Sequence, residues 1–481
     1  MTARTKQELY DRFSSGGSAT HNISQIEQEF EDLIDSIGSI GTITVAASDA
    51  SDASKGRADY QCDGTADNVQ IQAAIAALPT GGGKVVLSEG TFTLAATIQP
   101  GDDHSIIGSG TSTIITIADS SDIHGFQNDD TTSGNARIML ANFLYDGNKA
   151  NQSGTVFMTY FQRATDVTIR DVEVQNCNSD GIHIRINSHR CIVENVRSHG
   201  NEENGVMFTQ SDYCVVNNLI AYSNGGNGLM VGHADDSVLN DFQGTNIISY
   251  SNTQNGVFVA NAKNVKIQGE AYDNGYSGLT ISDAWEIVLD FNSHENDMNG
   301  IGIFEVDGFI IRGMYKDNNQ GPGTDWTLQN GIAIYDATNA SQNGQLIGCD
   351  TSDDQETPSQ LDGIYIEADA SSIRVIGGRS ENNTGEQIDN DSSTDISIRD
   401  VIGFTNENSG TATIASGDTT EAVAHGLAAT PTVINIAFRE QGTSDFGRWW
   451  VDTIGTANFT LNVSADPGAS NLDFAWEAKV R

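Results

Sequence analysis

Asp180 and Glu203 are the two carboxylates whose spacing could do chemistry. They stand one repeat apart, and if that repeat is one coil of a stack they would lie about 5 Å from each other, the separation at which one carboxyl acts as acid and the other as nucleophile on a glycosidic bond. A second reading stays open. Asn fills the position of Asp180 in four other repeats, which favours Asp180 as a turn residue in a ladder. The acidic pairs Asp235-Asp236 and Asp353-Asp354 and the run Asp389–Asp391 have no basic partner in register, and His183, His189, His199 and His233 fall at different phases. The sequence therefore predicts no metal site and no cofactor.

Glycan recognition needs aromatic faces for sugar rings and Asp, Asn or Arg for hydroxyls. Candidates are Asp325 and Trp326 in a long insertion, Trp285 between coils, and His425, Arg448, Trp449 and Trp450 near the end. Strand alternation turns at least one of Trp449 and Trp450 inward.

These residues are positioned by a repeating phrase of one glycine followed by apolar, any, apolar. Its glycines are Gly181, Gly205, Gly228, Gly256, Gly278 and Gly300, at intervals of 24, 23, 28, 22 and 22 residues. Alternation inside a period of this length predicts stacked strands, and hence a mainly β chain built on a right-handed parallel β-helix. The glycine suits positive φ or close backbone approach. Asn201, Asn224, Asn252, Asn274 and Asn296 each stand four residues before it and predict an amide ladder along the axis. Cys191, Cys214, Val238, Val265, Ile287 and Phe309 mark a second inward position. Two of those cysteines would stack as small hydrophobes more readily than as a disulfide.

Sixty-five Asp and Glu against 24 Lys and Arg give a formal net charge of −41. Such a surface repels nucleic acid and anionic membranes, so neither is an expected partner. The acidity fits either a solvated solenoid surface or adaptation to high salt. No apolar run is long enough to span a membrane, and the first residues lack the apolar core of a signal peptide.

In chain order, residues 1–41 carry Ile23, Ile26, Phe30, Leu33, Ile37 and Ile40 at heptad spacing, a seam that favours three or more strands and so predicts a homotrimer. The alternative is an amphipathic helix lying on the rest of the chain. Residues 42–62 read as a polar linker after a short strand, 63–406 as the capped β-helix, and 407–481 as an antiparallel β-sandwich. Asp67 is expected to cap a helix, Val69–Leu78, that closes the open end of the solenoid through Val69, Ile71, Ala74, Ile75 and Leu78.

Four resemblances follow from quoted residues. The order Thr5-Lys6-Gln7-Glu8-Leu9-Tyr10-Asp11-Arg12-Phe13, then Ile23-Ser24-Gln25-Ile26-Glu27, is similar to the attachment modules of phage tail fibres and spikes. Asp63-Gly64-Thr65, Ile71-Gln72-Ala73-Ala74-Ile75, Gly81-Gly82-Gly83-Lys84 and Gly90-Thr91-Phe92 resemble the amino-terminal signature of the pectate lyase superfamily. Asn178-Ser179-Asp180-Gly181-Ile182 looks like the first motif of polygalacturonase-type hydrolases, but Glu203-Asn204 and Gly226-Asn227-Gly228 stand where those enzymes carry Asp-Asp and Gly-His-Gly. His425-Gly426-Leu427, Ala429-Thr430-Pro431 and Ala457–Val463 resemble a lectin-like domain on many tail fibres. Together the resemblances imply a virion tail fibre or tailspike: residues 1–41 would bind other tail or baseplate proteins, and the distal parts a host surface glycan or glycoprotein. The alternative they imply is a tailspike depolymerase, a polysaccharide hydrolase or lyase using Asp180 and Glu203.

Overall fold

The computed structural model describes residues 41–233, 237–321, 329–335, 339–439 and 446–480. The heptad seam and its expected trimer fall within 1–40, outside the described residues.

One coil shows how the fold arises. Val257 to Ala260, Lys263 to Gln268 and Gly269 to Tyr272 pair in parallel with the next coil on three successive faces. Alternation sends Val257, Val259, Ala262, Val265, Ile267 and Ala271 inward, where all are buried. Repeating this plan yields one ladder of 25 strands around one apolar core that runs from Val45 to Phe404. Each coil covers its neighbour, so a single turn needs no core of its own.

The repeat glycines owe their identity to close approach and not to positive φ. A Cβ on Gly205 would stand 2.6 Å from Gly228 O and 3.0 Å from Asn224 Nδ2. Left-handed backbone falls instead on corner residues such as Asn195, Asn218 and Asn246, with φ of 53°, 53° and 52°, a region Asn tolerates better than most side chains. Beside the glycines runs the expected amide ladder: Asn201, Asn224, Asn252, Asn274, Asn296 and Asn318 each donate or accept along the axis at 2.9–3.0 Å. Gln360 and Asn383 extend it, joined at 2.7 Å. These amides are buried, and each bond satisfies a polar group that would otherwise be desolvated without a partner.

Four expectations need correction. Residues 42–62 are no linker: Thr42–Ala46 pairs with Gly83–Leu87, and Val45, Ala46, Ala47 and Ala50 join the core. Asp67 does not cap the helix, which spans Asn68–Ala76; its carboxylate accepts from Gly64 N and Thr93 N, both at 2.8 Å. Val69 is exposed, while Ile71, Ala74 and Ile75 do close the end of the core. Val238 is out of phase because the coil is longer there, and Phe242 takes its place between Cys214 and Val265. All five cysteines are free and buried, with Cys191 stacked on Cys214.

After the last coil, two three-stranded antiparallel sheets face each other. Leu472–Lys479 lies between Glu407–Ile414 and Val433–Phe438, and Asn458–Val463 between Thr420–Ala424 and Trp449–Asp452. Ile414, Phe459, Leu461, Leu472, Phe474 and Trp476 fill the space between them.

Candidate functional site

The middle residue of the apolar-any-apolar phrase points outward. Parallel register stacks these residues coil on coil, so Tyr160, His183, Met207, Met230, Phe258 and Thr280 form one continuous row. The polar turn before each glycine stands beside the row as a wall, with Glu202, Glu203, Gly226, Gln254, Tyr276 and Met298 along it. His233 and Phe304 flank the other side. The result is a groove of about 820 Å³ that crosses several coils.

Of the two carboxylates only Glu203 lines this groove. Asp180 is only 2% exposed, and its Oδ1 accepts from Asn204 N at 3.0 Å and Asn204 Nδ2 at 2.8 Å. Asn204 then accepts from Asn227 at 2.9 Å, and Asn227 from Asn255 at 3.0 Å, so Asp180 begins a second amide ladder. Glu203 is exposed on the wall, stacks over Ser179, and accepts from Ser179 Oγ at 2.8 Å. Register therefore sets Asn204 over Asp180, not Glu203.

The two ends of the row differ in chemistry. At the first, His124, Phe157, Tyr160 and His183 form a ring cluster with centroids 4.6–5.8 Å apart. Burial, and next the charge of His183, pull the His124 imidazole down to about 4, so it is neutral at pH 7. At the far end the row passes Gly302 and Ala333 to Tyr365 and Asp389. Burial, followed by Asp362, Asp391 and Glu386, pushes the Asp389 carboxyl up to about 6.

In the end domain Trp449 and Trp450 are 47% and 45% exposed, and alternation holds: Trp449 stands opposite the buried Val463 on the core-facing side, while Trp450 stands opposite Asn462 and turns outward. Trp449 lies on an edge strand of a three-stranded sheet, where it meets the Phe438 ring of the opposite sheet at 5.8 Å and stays half-exposed at the margin of the core. Arg448 is exposed beside them. His425 is removed from any binding face: it is fully buried, Leu427 N donates to its Nδ1 at 3.1 Å, and Nε2 lies 3.0 Å from Gly455 O. Trp285 is 38% exposed on the solenoid. Asp325 and Trp326 lie outside the described residues. The chain enters that segment at the groove wall, where Asn319 N donates to Met298 O.

Sequence reasoning missed two features. The groove floor sits at the position scored as any residue. A ladder of rings, His199, Tyr222, Tyr250, Tyr272 and His294, stacks at 4.6–5.2 Å with interplanar angles of 12° or less. Each stands two residues before a ladder asparagine, so its signal was present in the spacing. Its faces cover one another, which leaves only ring edges for solvent. Among the described residues no group of three His, Cys, Asp or Glu is placed to hold a metal ion, and no helix is long and apolar enough to cross a membrane.

A family model described as a right-handed beta helix region matches residues 104–242. No curated protein matches the sequence. Among solved structures, the A-module of mannuronan C-5 epimerase AlgE6 from Azotobacter vinelandii is similar at TM-score 0.62 and 20% identity, covering 71% of this chain and 96% of that one. Dettilon tailspike protein is similar at TM-score 0.56 and 11% identity, over 99% of this chain and 100% of the other. The Pseudomonas phage phi297 tailspike gives 0.52 and 10%, over 85% and 91%. Three-faced parallel coils, the family match and these likenesses together give this chain the right-handed parallel β-helix fold.

Proposed function

We propose that the chain is a tail fibre or tailspike of a tailed virus that attaches to a host surface glycan. The observation that carries this reading is the groove: it is open, crosses several coils, and is lined by Met207, Met230, Phe258, Tyr276 and side-chain amides. Its repeat is the interstrand spacing of about 4.8 Å, comparable with one sugar ring of an extended polymer. Rings and thioethers suit the apolar faces of sugars, and the amides suit their hydroxyls. Arg448, Trp449 and Trp450 are proposed as a second contact on the end domain, and Asp325 and Trp326 as a further glycan contact. Residues 1–41 are proposed to join the virion and to hold three copies together.

The test is incubation of the full-length protein with extracted host surface polysaccharide, followed by chromatography that reads both retention and product size. Retention without shortening is the expected result, and Phe258→Ala should weaken it. No retention on any host glycan would overturn the proposal. Glu203 on the groove wall keeps a second reading in play, a depolymerase: shortened products that disappear in Asp180→Asn and Glu203→Gln would establish it.

A further inference from the structure

The last coil leaves a strand edge uncovered. Ser371–Ile376 pairs with a strand on each side, Gln342–Ile347 and Thr394–Arg399, whereas among the described residues Thr394–Arg399 pairs with no strand above it. Its inward side chains show the difference: Ile396 is half-exposed and Ile398 is 8% exposed, over Ile373 at 0% and Val375 at 1%. The end domain reaches this edge through Asn406 Nδ2, which donates to Ile398 O, and leaves a cavity of about 420 Å³ between Ile396–Arg399 on one side and Glu407, Lys479 and Val480 on the other. A strand edge that faces a cavity offers backbone donors and acceptors to any chain able to lie along it.

Charge at this place runs against the rest of the molecule. The chain has 24 Lys and Arg against 65 Asp and Glu, yet Arg374, Arg399 and Lys479 all line the cavity, beside the single carboxylate of Glu407. The groove on the solenoid is lined by Glu202 and Glu203 and by no Lys or Arg. Lys479 is held by Glu407 at 3.1 Å and Glu477 at 3.0 Å, and Arg374 lies 3.7 Å from Asp395. Arg399 stands outward and exposed, in register above Ile376, and among the described residues no carboxylate pairs with it. Its planar fork matches a carboxylate with two parallel bonds.

We propose that this edge takes an extended, acidic peptide segment of a partner protein, added in parallel as the next strand of the solenoid. Register dictates its pattern: apolar side chains over Ile396 and Ile398, a small polar one over Ser397, and Asp or Glu over Arg399. The four edge residues span about 13 Å at the usual strand rise, so a short segment fills the cavity. A glycan could meet the cations but has no backbone with which to continue the ladder. The inference is independent of the glycan groove, which lies on another face and shares no lining residue with this cavity.

The experiment is calorimetry of the full-length protein with the blocked hexapeptide acetyl-Thr-Val-Thr-Val-Asp-Thr-amide. It should bind about tenfold tighter than the same peptide with Lys in place of Asp, the equivalent of one charge-assisted bond pair, and Arg399→Gln should erase most of that preference. A strand bonds its neighbour through alternate N–H groups, so of two peptides N-methylated at one or the other alternate set, one should lose at least tenfold and the other should keep its affinity. An unchanged melting temperature shows that Arg399→Gln folds, and the methylated pair needs no variant. No binding of the hexapeptide, equal effects of the two methylation patterns, or a charge preference untouched by Arg399→Gln would each overturn the proposal. So would a glucuronate trimer that binds as tightly, which would leave the cations holding an anion without the edge. Copies of the chain that separate in sedimentation on Arg399→Glu would give the edge to a second copy and overturn it as well. Retention on host polysaccharide should be the same in all these variants.

Discussion

Asp389 shows what stacking does to a single residue. Facing outward next to Tyr365 in register, it is half-exposed, yet burial and three neighbouring acids raise its carboxyl to about 6. As pH rises from about 4, the usual value in an unfolded chain, towards 6, the unfolded chain releases a proton that the folded chain keeps. Stability therefore falls across that window, and the penalty is complete above it. Asp389→Asn removes the ionisation and should stabilise the protein by about 1 kcal/mol at pH 7.5, after solvent screening of this half-exposed group is allowed for. Urea unfolding at pH 7.5 and pH 4 checks this; an advantage of the same size at both values would rule the explanation out.

The coil is the element on which the molecule is built, and its glycine is where two coils come nearest. At Gly228 an added methyl would meet Ser249 Oγ at 1.9 Å, Gly256 O at 2.8 Å and Asn252 Nδ2 at 2.9 Å. Gly228→Ala must separate the coils or break the amide ladder, so it should cost about 1–3 kcal/mol, as overpacking does. Gly81→Ala, where nothing lies within 4 Å, is the matching control and should be close to neutral. Hydrogen exchange should locate the loss in the coils around residue 228, because each coil contacts only its neighbours. Uniform loss over the whole solenoid, or equal effects of the two substitutions, would contradict this account.

At the scale of the whole molecule, charge and assembly are coupled. A net charge of −41 on each chain opposes bringing three copies together, and salt screens that repulsion over about 10 Å at 0.1 M. The heptad seam predicts a trimer by sedimentation, more stable to heat at 1 M than at 0.05 M NaCl, and a monomer once residues 1–40 are removed. A full-length monomer at both salt concentrations would refute the trimer.

The sequence alone determined the parallel β-helix, its amide ladder and the antiparallel strands of the end domain, because burial imposes a period on every inward residue and a slip of one position would expose the whole set. It also identified the repeat glycines, though not the reason for them: close approach is a distance between residues 22 to 28 apart, which only the stacked coils reveal. The groove was not legible. Its floor is the outward alternate position, where no core demands a residue type, so Met207, Met230 and Phe258 look unrelated until register sets them in line. Tertiary structure likewise decided that Asp180 looks along a ladder and Glu203 into the groove, since neighbours in the chain take opposite sides of a strand or turn, and the coil above determines which partner each one meets.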